Sequence, residues 1–144
     1  KVEDVSDLAG PDLQVLGAWR GVAAGDFDGD GAIEIAVSRL NDSAFFLDNP
    51  PPKNNWVLLN LRGTRSNRDA IGARVKLVLP SGLTQYEHVT TANGIYSASD
   101  KRVHFGLGQE KAITTVEIRW PSGKVQVLSD LGINRQHDIV EPEG

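Results

Sequence analysis

Four acids crowd into nine residues: Asp26, Asp28, Asp30 and Glu34, in the run Gly-Asp-Phe-Asp-Gly-Asp-Gly-Ala-Ile-Glu-Ile over 25–35. Carboxylates at loop positions 1, 3 and 5, followed by Gly31 at position 6, form the opening of a calcium loop. Alternate side chains of a tightly curling segment converge on one point, and the glycine permits the sharp turn and exposes the next carbonyl. Hard oxygen donors in this number suit Ca²⁺ better than Zn²⁺, and no Cys or His stands nearby. The loop is not an EF-hand: position 12 is Val37 rather than a bidentate Glu, and the flanks read as strands. Glu34, at position 9, supplies the missing carboxylate, and Ala32 offers its backbone carbonyl. The expected metal set is therefore Asp26, Asp28, Asp30, Ala32 and Glu34. A solvated acidic turn is the plainer alternative, but no Lys or Arg lies between Gly21 and Val37 to offset the repulsion. A cation is the simplest neutraliser, and its role would be structural.

Other residues offer weaker chemistry. Asn67, Arg68 and Asp69, after Ser66, bring together an amide, a guanidinium and a carboxylate, which suit sugar hydroxyls or a partner's carboxylate. The same residue types equally make a structural turn, with Asn and Asp bonded to their own backbone. His88, His104 and His137 fall on separate strands, so a zinc site would need a convergence that spacing does not supply. No Gly-x-Ser-x-Gly elbow is present, and nothing sets Asp69, Glu87, Asp100 or Glu117 in pairs at a glycosidase separation. Trp19, Trp56 and Trp120 read as packing residues before sugar platforms; Trp120, followed by Pro121, plugs a sheet end.

The elements that must position these groups are strands. Apolar runs and alternation mark Leu13–Leu16, Gly21–Gly25, Ile33–Ser38, Ala44–Leu47, Trp56–Leu61, Ala73–Leu79, Tyr86–Thr91, Val103–Leu107, Thr115–Trp120, Lys124–Leu128 and Asp138–Val140. In Ile33–Ser38, Ile33, Ile35 and Val37 share the face expected to enter a core, while Glu34 takes the other, toward the ion. Pro80-Ser81-Gly82 and Pro121-Ser122-Gly123 read as hairpin turns. Val5–Leu8 and Ser129–Ile133 have room for single helical turns, and no stretch sustains a helical period. Three consecutive prolines in the Pro/Asn-rich segment 50–55 mark a linker. The expected organisation is all-β, with an acidic-loop unit over 1–49 and a second β domain over 56–144.

With 144 residues, 40% of them hydrophobic and 24% charged, the chain can bury a core. It has no Cys, so disulfides and thiolate chemistry are excluded. Opening at Lys1 with no Met, it reads as a soluble piece of something longer. No apolar run approaches the roughly 20 residues of a membrane span, so membrane insertion is not expected. Of 19 acids against 15 bases, the four in the loop carry the whole formal excess of −4. This argues against a nucleic-acid partner, which needs a basic stripe.

Gly21-Val22-Ala23-Ala24-Gly25-Asp26-Phe27-Asp28-Gly29-Asp30-Gly31, followed by Ile33-Glu34-Ile35-Ala36-Val37, resembles an FG-GAP/VCBS repeat, the calcium-binding blade of integrin-α-like propellers. The run from Gly63 to Val75, with Val103-His104-Phe105-Gly106-Leu107-Gly108 and Val116-Glu117-Ile118-Arg119-Trp120-Pro121-Ser122-Gly123, resembles the ASPIC/UnbV domain. The resemblance covers about residues 17–141 and departs from the pattern twice: one repeat cannot close a propeller, and Glu34 stands where the repeat usually carries Asp. It implies a partial propeller blade followed by a β-sandwich-like domain, in an extracellular, cell-surface or periplasmic protein. The expected function is a non-enzymatic, calcium-binding recognition or adhesion module with a glycan or cell-surface protein as ligand. Two alternatives stand beside it. One is a structural domain that caps the remainder of a propeller and self-associates through exposed strands; the other is an accessory domain of a polysaccharide-acting enzyme.

Overall fold

A computed structural model describes residues 2–4 and 10–143. Ten strands follow in chain order: β1 (Trp19–Gly25), β2 (Glu34–Arg39), β3 (Phe45–Leu47), β4 (Asn55–Arg62), β5 (Arg74–Val78), β6 (Thr84–His88), β7 (Val103–Gly108), β8 (Thr115–Arg119), β9 (Val125–Leu128) and β10 (Gln136–Val140). They form three small sheets, ordered β1-β2-β3, β10-β4-β7 and β6-β5-β8-β9. No α-helix occurs among the described residues. The all-β expectation holds, and ten of the eleven anticipated strands are present. The eleventh, Leu13–Leu16, is replaced by a 3-10 turn over Pro11–Gln14, where Pro11 sits at the helical start its fixed φ favours. Ser129–Ile133 forms no helical turn, and Val5–Leu8 lies outside the described residues.

One hydrophobic core draws on both downstream sheets. Val57, Leu59 and Leu61 of β4 meet Val103, Phe105 and Leu107 of β7, Val75 and Leu77 of β5, and Val116 and Ile118 of β8. The period of two puts these residues inward and their neighbours outward, which is why the alternation was readable. Trp120 is buried at the end of β8 and donates its indole N–H to Gln126 Oε1 at 3.0 Å. Both Pro-Ser-Gly turns close as expected. Gly82 and Gly123 have φ of 86° and 91°, and each donates its N–H three residues back, to Leu79 and Trp120. β10 runs parallel to β4 and antiparallel β7 flanks the other side, so β4 is central.

The first sheet contributes nothing to that core. Ile35, expected to be inward, is 36% exposed, and Val22 on the same face is 37% exposed. Alternation identified the strand correctly, but a buried face also needs a covering layer, and the described residues supply none there. The outer edge of β1 is nonetheless covered. Val22 and Ala24 donate N–H groups to Ser97 Oγ and Ser99 Oγ, Asp100 donates its N–H to the Ala24 carbonyl, and Asn93 reaches the Val22 carbonyl.

Candidate metal centre

The acidic loop joins β1 to β2, and the antiparallel register sets Gly25 opposite Glu34. Asp26, one residue beyond β1, and Glu34, the first of β2, are thereby brought to the base of one hairpin. Both are buried, at 1% exposure each. The loop is drawn around them by its own amides. Asp26 Oδ1 accepts from Gly29 N–H at 2.7 Å, and Oδ2 accepts from Gly31 N–H at 3.1 Å. Asp28 Oδ1 accepts from Asp30 N–H, and Asp30 Oδ1 from Ala32 N–H. Glu34 Oε2 accepts from Phe27 N–H at 2.8 Å, whereas Oε1 is buried with no hydrogen-bond partner.

Asp26, Asp28 and Glu34 each offer one carboxylate oxygen within 4.8 Å of the others. A single Ca²⁺ with bonds of about 2.3–2.6 Å can bridge oxygens at that range. The donor set is all hard oxygen, and an orphaned buried carboxylate oxygen is costly unless something positive meets it. The residues therefore fit a calcium ion. Asp30, half-buried, lies outside this three-carboxylate cluster, and Ala32 is buried beside the loop.

The loop is seated on the second unit. A Cβ added at Gly31 would fall 1.9 Å from the Trp56 ring, so only glycine permits this approach, and its φ of 90° requires glycine a second time. Trp56 and His104 stack with ring centroids 6.1 Å apart, and His104 Nε2 lies 2.9 Å from the Gly31 carbonyl. Leu58, opposite His104 in the register, is buried on the same strand face as Trp56. Arg102 completes the seat. Its guanidinium bonds Asp100 Oδ2, Gln136 Oε1 at 2.9 Å and the backbone carbonyl of Asp26. The seating of Gly31 on Trp56 and His104 and the reach of Arg102 to the Asp26 carbonyl were not foreseen, since they join positions 25, 73 and 76 residues apart that no local pattern connects.

The second loop singled out in the sequence has a different character. Asn67 closes it on itself, donating to the Ile71 carbonyl and accepting from Ile71 N–H, both at 2.9 Å. Asp69 pairs with Lys101, whose hydrogen bond holds the carboxyl below its usual range, and Arg68 is exposed. Beneath lies Glu141, which the sequence reading missed. Its buried carboxylate accepts the N–H groups of Thr64, Arg65 and Ser66 on Oε2, at 2.8–2.9 Å, and the hydroxyls of Ser66 and Ser122 on Oε1. Burial pushes its pKa up, but the Ser122 hydroxyl and the three backbone donors prevail and bring it to about 2. The other histidines lie apart. His88 is on β6, and His137, on β10, contacts the Gly132 carbonyl at 2.7 Å.

Fold and site together define an all-β protein with an acidic, metal-type hairpin loop docked on a larger β unit. Residues 63–144 match the family described as ASPIC and UnbV, and the chain belongs to that family. It is also similar to cartilage acidic protein 1. With the Xenopus tropicalis protein it shares 30% identity over 142 residues, 94% of this chain and 21% of that one. With the human protein it shares 32% over 136 residues, 92% of this chain and 20% of that one. The chain thus spans about one fifth of the length of these relatives.

Proposed function

We propose that this chain is a calcium-stabilised, non-enzymatic recognition module of an extracellular protein. In this reading β1–β3 are a propeller blade of FG-GAP/VCBS type, and residues 56–144 are a sandwich-like domain. The observation that carries it is the unpartnered, buried Glu34 Oε1 beside Asp26 and Asp28. An ion there would relieve carboxylate repulsion and fix the loop against Trp56 and His104. Because Gly31 and Asp26 each bond the second unit through a backbone carbonyl, calcium would stiffen the junction as well as the hairpin.

The test is a thermal melt after EDTA stripping, repeated with millimolar Ca²⁺ and with Mg²⁺. A ligand at about 100 times its dissociation constant adds roughly 2.7 kcal/mol, a shift of several degrees in a chain of this size. We expect that shift with Ca²⁺, little with Mg²⁺, and none with Ca²⁺ in Glu34→Gln or Asp28→Ala. An unmoved midpoint in the unaltered protein would sink the calcium assignment.

A second reading, assembly with further blades, is favoured by the first sheet's exposed apolar residues. Val22 and Ile35 lie on one face; on the other, Phe46 is 53% exposed and meets Phe27 edge-on. Blades of a propeller cover one another on both faces, and this sheet leaves apolar side chains exposed on both. Sedimentation that shows one species at all concentrations would remove self-association from this reading.

A further inference from the structure

The outer face of the sheet β6-β5-β8-β9 carries a charge arrangement that the fold does not require. Val75, Leu77, Val116 and Ile118 point into the core, so Arg74, Lys76, Glu117 and Arg119 stand on the opposite face. The register aligns them in two rows. Arg74 lies between His88 and Arg119, and Lys76 lies between Tyr86 and Glu117. Arg74 and Arg119 are therefore like charges directly opposite one another, an arrangement that destabilises a sheet. Neither has an ion-pair partner among the described residues, and neither does Lys76. Together with His88, Tyr86 and two carboxylates, Glu87 at the β6 edge and Glu117, they line an open cleft of about 710 Å³, with three cations against two acids. Tyr86 is 70% exposed within it.

Two adjacent guanidinium forks suit a carboxylate or sulfate group, which each can grip through paired N–H donors. The exposed Tyr86 ring, one row away, supplies an apolar face with a polar tip, which suits a sugar ring. A peptide is the poorer fit. The backbone donors of β5 and β8 are engaged on both sides by neighbouring strands, so a peptide can add as a strand only at the β6 or β9 edge and not over Arg74 and Arg119. We infer that this face binds an anionic oligosaccharide, with Arg74 and Arg119 on its acid group and Tyr86 against a neighbouring ring. The inference deepens the recognition reading above and rests on it for the ligand's extracellular setting, but it uses none of the metal ligands.

The test is calorimetric titration of the whole chain in calcium with four probes. These are an oligogalacturonate, a sulfated dextran oligomer, neutral dextran and poly-L-glutamate. Saturable binding of an anionic saccharide is expected, and whichever of the two binds tells carboxylate from sulfate. Arg74→Glu should weaken it more than tenfold and Tyr86→Ala severalfold. Arg74→Glu exchanges a like-charge pair for an opposite one, so its melting temperature should equal or exceed that of the unaltered protein, which separates lost binding from lost fold. Glu34→Gln should lose the calcium shift and keep the saccharide. The inference is overturned if neither anionic saccharide binds, if poly-L-glutamate binds as tightly, or if Arg74→Glu binds undiminished. A calcium shift without saccharide binding removes this inference alone; saccharide binding without a calcium shift removes the calcium reading alone.

Discussion

Two glutamates, each 1% exposed, meet burial in opposite ways. Glu141 is satisfied by five donors, three of them consecutive backbone amides, while Glu34 leaves one oxygen with no partner. The first is a closed structural clasp; the second keeps one buried oxygen unpartnered beside Asp26 and Asp28, in a cluster that could hold a metal ion. Their consequences for acid stability differ accordingly. Glu141 has a folded pKa of about 2 against an ordinary 4.5. A depressed carboxyl contributes stability that is full above the unfolded value and lost as pH falls through the folded one. The unaltered protein should therefore lose stability between about pH 4.5 and pH 2. Glu141→Gln should melt lower at neutral pH and show a flatter dependence across that window. Parallel acid limbs for the two proteins, measured by denaturant titration at each pH, would contradict the clasp.

Among the turns and strands, the glycines separate two physical effects. Gly82 has a positive φ with nothing near its absent Cβ, whereas Gly31 combines a positive φ with the Trp56 ring. Gly82→Ala should cost about 1–2 kcal/mol, the conformational penalty alone. Gly31→Ala should cost more, and should shift Trp fluorescence as Trp56 is displaced; equal losses in the two variants would mean that the loop does not sit on Trp56. The same contrast explains what could be read from sequence. β5 and β8 alternate cleanly because one face of each is buried against a partner sheet, and the Pro-Ser-Gly turns carry their own conformational signal. The acidic loop was legible because its carboxylates are local, within residues 26–34. The Trp56–His104 stack, the reach of Arg102 to the Asp26 carbonyl and the backbone amides of the Glu141 clasp join residues 48 to 77 positions apart, and no local pattern encodes them.

For the molecule as a whole, the buried core runs from Val57 to Ile139 with no residue of β1–β3, and the first sheet is held by its covered edge and its seated loop. Amides of β1–β3 should therefore exchange with deuterium before those of β4, β5, β7 and β8. Calcium should slow exchange over residues 25–34 and along β1 without altering β8. Equal protection of both units in EDTA would show that the first sheet does not depend on the ion. The pairing of β10 with β4 carries a further implication, one of timing. Asn60 and Asp138 share a 2.8 Å hydrogen bond across 78 residues, and Ile139 fills a place in the core. Contacts so distant in sequence form slowly, because the intervening chain must be ordered before they are made. On the ribosome, the edge of β4 that β10 pairs stays open until residues 136–140 are released, after β5, β7 and β8 are already available to cover its apolar face. A message cut short before that point would leave the β4 edge unpaired and the place of Ile139 in the core unfilled, an adhesive sheet rather than a smaller working module.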